Sequence, residues 1–378
     1  MAKIENLVRL EGFCHGLGVF EVKLGRKTFA GVIDTDGNIV VEPQWETVHI
    51  GDRDTVLLGD LRNVQYFSLG QQKFLPGAPV RGRMITWRGR KKGLEDMEGN
   101  IIIPHAYKRL EYTDDNRLCL LAQNFKGKLG LFSGTRELLP VVYDEIHCGD
   151  VCSPCAVRQG DDWFLVRSGG ERVSDKRYDW LGPIRNGYAI YGEKYPEVGK
   201  TSCMHYGLID IDEKIVIPAK YEHLAWLGDE RLSCGEATHA GSYFNPAGSW
   251  QTWKYGIIDC ADNIVVPQIY PMPLRGGVNG CYRAEYFDPR TQCTMEGIID
   301  ENNNEVIPFY NWSIWNYDSG YRIYDREEMQ YALYSSSGKE LLPFEYERME
   351  IGDTLDYIAV CKNGEWYYVN QHGERVLL

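Results

Sequence analysis

Short apolar runs, each shut off by a turn signal or a proline, recur along the whole chain, and three stretches are nearly the same sentence. Tyr206-Gly-Leu-Ile-Asp210 leads to Ile215-Val-Ile-Pro218, Tyr255-Gly-Ile-Ile-Asp259 to Ile264-Val-Val-Pro267, and Glu296-Gly-Ile-Ile-Asp300 to Glu305-Val-Ile-Pro308. The first run of each is rich in β-branched residues and predicts a strand. A turn follows, clearest in Asp34-Thr-Asp-Gly-Asn38 and Asp96-Met-Glu-Gly-Asn100, where glycine supplies positive φ and the aspartate accepts local backbone N–H groups. The second strand ends at the proline, which lacks a donor and suits a strand end or an edge. A third, such as Tyr357-Ile-Ala-Val-Cys361, passes through Lys362-Asn-Gly-Glu365 into the next unit, and Asn-Gly between apolar runs is a strong hairpin signal. No helical period is sustained over ten or more residues, so the class is all-β with three strands per unit.

The prolines set the register. Pro104, Pro140, Pro218, Pro267 and Pro343 are each followed three residues later by tyrosine, whereas Pro43 with Trp45 and Pro308 with Tyr310 are one residue tighter. A small signature comes next, as in Tyr107-Lys-Arg-Leu110, Tyr143-Asp-Glu-Ile146, Tyr221-Glu-His-Leu224 and Tyr346-Glu-Arg-Met349. Tyr178-Asp-Trp-Leu181 keeps that signature in a unit that has lost its proline, and Leu75-Pro76 is a degenerate copy without the aromatic. About ten copies fill residues 1–378 as one repeat domain and leave no room for a separate catalytic domain. Such units bury their apolar faces only against one another. An open or curled β-solenoid is expected, because ten units exceed the roughly four to eight blades usual for propellers and three strands fall short of a propeller's four. The alternative is a closed propeller-like ring, since the chain opens on a third-strand-like Leu17–Val22 and ends on first- and second-strand segments that would pair.

The pattern resembles the WG-repeat, or KWG, family, whose units run aromatic-Gly-aliphatic-Ile-Asp, turn, Val-Ile-Pro, then Tyr. The residues that carry the resemblance are Tyr206-Gly207, Tyr255-Gly256, Leu129-Gly130 and Ala30-Gly31 with Asp34, Gly37, Pro43 and Trp45. The signature tryptophan is replaced by Tyr, Leu, Ala or Glu, and Phe164 and Tyr367 stand where two units should carry glycine. The resemblance implies a mostly bacterial β-repeat interaction module without established enzymatic activity.

Composition narrows the setting. The chain has 378 residues, 43% of them hydrophobic, and no apolar run approaches the roughly 18 to 20 residues that cross a bilayer. Its start lacks the features of a secretory signal, which points to a cytoplasmic protein. Eleven cysteines scattered through strand-like runs, as Cys119 is, fit reduced thiols better than a disulfide framework. The net charge of −13, without long acidic runs, is expected to be spread over the surface. Nucleic acid and anionic membrane are therefore disfavoured as ligands, because both demand a basic stripe, and a protein or peptide partner is preferred.

Candidate chemistry is sparse. Cys148, Cys152 and Cys155, with His147 beside them, have the residue types for a metal site and are the alternative basis for a metal-binding sensor or enzyme. Aligned on the last unit, however, Cys155 falls where Ile358 sits, an ordinary strand position. Asp34-Thr-Asp-Gly-Asn38 does not fit an EF-hand, whose glycine is sixth and glutamate twelfth. The recurrent Asp34, Asp96, Asp210, Asp259 and Asp300 read as turn residues. No Walker loop, dinucleotide fingerprint or Gly-x-Ser-x-Gly elbow is present, so no cofactor and no catalysis are expected. Three consecutive units instead carry long insertions, Gly192 to His205, Glu236 to Lys254 and Asp288 to Met295. Equivalent loops of an array share one rim, so Tyr195, Tyr243, Phe244, Trp250, Trp253 and Arg290 are the candidate partner-binding residues of a non-catalytic scaffold.

Overall fold

The computed structural model describes residues 4–377 except 52–53, 61–62, 78, 81, 114–118, 151–152, 196–202, 229 and 238–252. The described residues form ten small antiparallel sheets, each hydrogen-bonded in chain order. Nine have four strands, so the three-strand unit is corrected. The seventh sheet is representative: His223–Gly228, Arg231–Ala237, Trp253–Asp259 and Ile264–Tyr270. The additional strand is the small signature after each aromatic. It is only three residues long at Glu145–His147 and Arg348–Glu350, too short to show a period of two.

The recurrent glycine, as at Gly31, Gly130, Gly207 and Gly256, has a steric cause. Most third-to-fourth pairings slip register, as between Tyr206 and Leu208 opposite Tyr221 and Ile217. There the fourth strand folds over the glycine, and a Cβ on Gly207 or Gly256 would lie 2.4 or 2.5 Å from a carbonyl oxygen of that strand. Phe164 and Tyr367 are tolerated because the crossing strand is missing opposite them. In the fifth sheet the segment after Val166 makes only isolated bridges, Trp163 with Tyr178 and Val166 with Arg172. In the tenth, Arg375–Leu377 pairs with Tyr368 and Val369 alone.

Apolar residues pack between neighbouring sheets, not within one centre. Ile190, Leu208, Ile217 and Tyr221 of the sixth unit meet Leu224, Leu232, Cys234 and Ile258 of the seventh. The tyrosine after the proline also reaches forward: Tyr221 Oη donates to Asp262 at 2.6 Å and Tyr270 Oη to Asn303 at 2.6 Å, each in the next unit's last turn. This link gives the Pro-x-x-Tyr spacing its physical role.

The array closes into a ten-bladed propeller ring, which corrects the solenoid expectation. Leu10, Phe13, Phe20 and Ile33 of the first blade share one buried cluster with Ala359, Tyr368 and Leu377 of the last. Moreover, the closing seam repeats an internal one. Asp150 N donates to Ile184 O at 3.0 Å and its carboxylate accepts Asn186 N at 2.8 Å, joining the fifth blade to the sixth. Asp353 N donates to Phe13 O at 2.8 Å and its carboxylate accepts His15 N at 2.7 Å, joining the tenth blade to the first. Asn186 and His15 both take positive φ, at 49° and 55°, each before a glycine. Closure does not pair the chain ends as strands: the first blade, which begins at Leu7–Leu10 ahead of Leu17–Leu24, is complete by itself. Both arguments against a ring fail here, since the strand count was one too low and the blade number exceeds the usual range. Among the described residues no helix is long and apolar enough to cross a membrane.

Candidate partner-binding rim

A four-stranded meander sends alternate turns to opposite ends. Second-to-third hairpins and the links between blades form one rim, called here the hairpin rim. First-to-second and third-to-fourth turns form the other.

The recurrent aspartates lie on the second of these. Asp96 Oδ1 accepts Glu98 N at 2.9 Å and Asn100 N at 2.8 Å, while its other oxygen accepts the Asn100 carboxamide at 2.8 Å. Asp34, Asp259 and Asp300 repeat the arrangement, and Asp210 keeps its backbone half. The Asn100 carboxamide and amide hold the Asp96 carboxyl below its ordinary pKa, and those of Asn304 do the same for Asp300. These carboxylates are spent on turns.

The three insertions extend second-to-third hairpins of the sixth, seventh and eighth blades, so all three lie on the hairpin rim. Their bases are regular ladders, with Glu193 opposite His205, Glu236 opposite Lys254 and Phe287 opposite Thr294. Of the candidate residues, Trp253 is half-buried at the seventh hairpin and stacks on Tyr255 with ring centres 5.7 Å apart. Arg290 is 92% exposed at the eighth, its guanidinium 3.7 Å from Asp288. Tyr195 closes the strand Tyr188–Tyr195 of the sixth blade, opposite Cys203. Tyr243, Phe244 and Trp250 lie outside the described residues. The insertions thus rise from adjacent blades, and the sequence did not single out Tyr286 and Phe287, exposed on the same rim at 37% and 50%.

Charge is not spread evenly, contrary to the composition-based expectation. On the hairpin rim of the first four blades, Lys23, Arg26, Arg90, Lys91, Lys108 and Lys126 are all exposed and none is within ion-pair distance of a described carboxylate. The acids nearby are already matched: Glu46 by Lys27, Glu95 by Arg88, Glu111 by Arg109 and Asp144 by Lys128. Large apolar side chains stand among the cations, Leu24 at 49% exposure, Trp87 at 52% and Phe125 at 54%. The signal for this arc was in the sequence as Leu24-Gly-Arg-Lys, Trp87-Arg-Gly-Arg-Lys and Phe125-Lys-Gly-Lys.

The fold brings the Cys148 and Cys155 thiols of the cysteine cluster into contact. Cys148 follows the strand Glu145–His147, Cys155 begins the next one fully buried, and Cys152 lies outside the described residues. The Cys148 thiol contact and burial push the Cys155 thiol far above its ordinary range, so it is a packed neutral thiol. His147 is held by packing too: Nδ1 lies 2.8 Å from Leu181 O and the ring 4.5 Å from that of Trp163. Among the described residues no three His, Cys, Asp or Glu side chains are grouped to hold a metal ion. Eight described cysteines are free and Cys119 is disulfide-bonded, so the chain has no disulfide framework among the described residues, though not every thiol is reduced.

The chain is similar in structure to a eukaryotic initiation factor, at 11% identity over 86% of this chain and 95% of that one, with a TM-score of 0.45. It is also similar to the uncharacterized protein lmo1340 from Listeria monocytogenes EGD-e, at 10% identity over 90% and 95%, TM-score 0.34. Kluyveromyces lactis Hsv2p matches at 9% identity over 88% and 93%, TM-score 0.27. No curated protein matches the sequence. The family model described as WG containing repeat matches residues 31–49, from the first blade into the second, and 206–225, from the sixth into the seventh. The glycine under the folded strand, the Asp turn and the aromatic that reaches the next blade are thus features of a chain that carries WG repeats.

Proposed function

We propose that the protein is a non-catalytic scaffold that captures a protein or peptide partner on the hairpin rim of its sixth to eighth blades. The observation that carries this reading is the position of the insertions: three consecutive blades lengthen the same hairpin on the same rim. Repeat arrays commonly place binding loops in this way, and rigid aromatics with arginine supply much of the energy at such interfaces. Trp253, Phe287 and Arg290 are the described side chains of those types at the site. The eight free cysteines favour a cytoplasmic setting, while the disulfide at Cys119 runs against it.

The test is partner capture by the full chain, with cross-links mapped onto the bound form. Trp253→Ala with Arg290→Ala is expected to abolish capture and leave the melting temperature within a degree or so, since both side chains reach solvent. Cross-links confined to other blades, or unimpaired capture by the double variant, would move the site elsewhere.

A further inference from the structure

We propose that the hairpin rim of the first four blades is a second docking surface, and that its occupant is an anionic phospholipid membrane. In a chain of net charge −13, six exposed cations without carboxylate partners on one arc form a deliberate exception to the surrounding field. Such an arc attracts an anionic surface within a Debye length. The cations sit on short, defined turns. Gly25 and Gly89 take φ of 66° each, so that two-residue hairpins hold Arg26 and Arg90 at the outermost point of their blades.

The apolar residues decide between a membrane and the other polyanion, single-stranded nucleic acid. Base stacking needs open aromatic faces along a groove. Here Leu24 has no aromatic face, and Lys92 Nζ lies 5.6 Å from the centre of the Trp87 ring. Leu24, Trp87 and Phe125 instead project at or beside hairpin ends on separate blades, flanked by lysine and arginine. Apolar tips ringed by cations match the boundary between headgroups and acyl chains. The sixth to eighth blades lie across the ring from this arc.

The experiment is flotation of the full-length protein with phosphatidylglycerol–phosphatidylcholine vesicles, beside phosphatidylcholine vesicles and a fluorescent oligouridylate titration in the same buffer. Binding is expected on the anionic vesicles alone, weakening as salt is raised. Arg90→Glu with Lys91→Glu and Lys126→Glu is expected to lower the affinity by about a hundredfold or more. Trp87→Ala with Phe125→Ala, which leaves every charge in place, is expected to lower it about tenfold. Trp253→Ala is expected to change nothing, which keeps this surface distinct from the partner site. No flotation with anionic vesicles, equal flotation with neutral ones, or binding to the oligouridylate that exceeds binding to vesicles would overturn the proposal. So would charge-reversed protein that still floats while its circular dichroism melt is unchanged.

Discussion

The centre of the ring and the tips of its hairpins obey opposite rules. At the centre, where the first strands of neighbouring blades converge, a Cβ on Gly352 would lie 2.0 Å from Phe13 O, and one on Gly149 only 1.5 Å from Ile184 O. At the tips, a Cβ on Gly25 or Gly89 would meet nothing within 4 Å. One region is packed to contact and accepts almost no change; the other is held only by its own turn. Stability therefore resides where blades touch, and the freedom to vary, hence recognition, where they end.

The largest test of that contrast is at the seams. Gly352→Val and Gly149→Val are each expected to destabilise the protein by about 3 kcal/mol or more, because backbone has to move to admit the side chain. Similar losses in urea melts would show that the closing seam and the internal one are equivalent; a mild Gly352 variant beside a severe Gly149 variant would break the equivalence. Smaller is the loss from Asp353→Ala, about 1 kcal/mol, since His15 N loses its carboxylate acceptor in a half-exposed setting. Its counterpart Asp150→Ala, which frees Asn186 N, should match it within error.

At the tips the expected effects shrink. Gly89→Ala costs about 0.5 to 1 kcal/mol, and only through the positive φ of the turn. Arg90→Glu shifts stability by no more than about 0.5 kcal/mol in either direction. A cooperative loss of fold from either substitution would mean that the tips belong to the core after all.

Acid should distinguish the two rims. The Asp96 and Asp300 carboxyls are held below their ordinary value of 3.8 by the side chain and amide of the asparagine four residues on. A depressed folded pKa contributes stability that is complete above 3.8 and is lost as pH falls through the lower folded value. Melting temperature is thus expected to hold on descent to about pH 4 and to fall below it. Asp96→Asn with Asp300→Asn should flatten that slope, and an unchanged slope would assign the acid sensitivity to other groups.

Much of this was legible because the repeat writes it many times. The Asp turns, the Pro-x-x-Tyr register and the weak fifth unit near Arg177 follow from local steric and hydrogen-bonding needs that each copy must meet alone. Ring closure was legible only as the alternative to a solenoid, because it depends on a small curvature accumulated over ten blades, and no single unit encodes its sum. The clue lay in Gly-Asp at 149–150 and 352–353, also present at 51–52 and 228–229. Its meaning, a seam between first strands, requires knowing that the signature segment is a strand. The basic arc was missed for a different reason: net charge averages away the position of charges. Whether Trp253 and Arg290 contact a partner is a property of the complex and is written in neither the period nor the composition.

One consequence of the seam lies in chain order. Among the described residues no strand is shared between blades, and Leu7 packs in the same apolar cluster as Leu377, so the described chain passes around the ring without a strand that locks one blade into another. A circular permutant joined between those residues and opened between Trp45 and Thr47 keeps every sheet whole, and the molecule has no privileged starting blade.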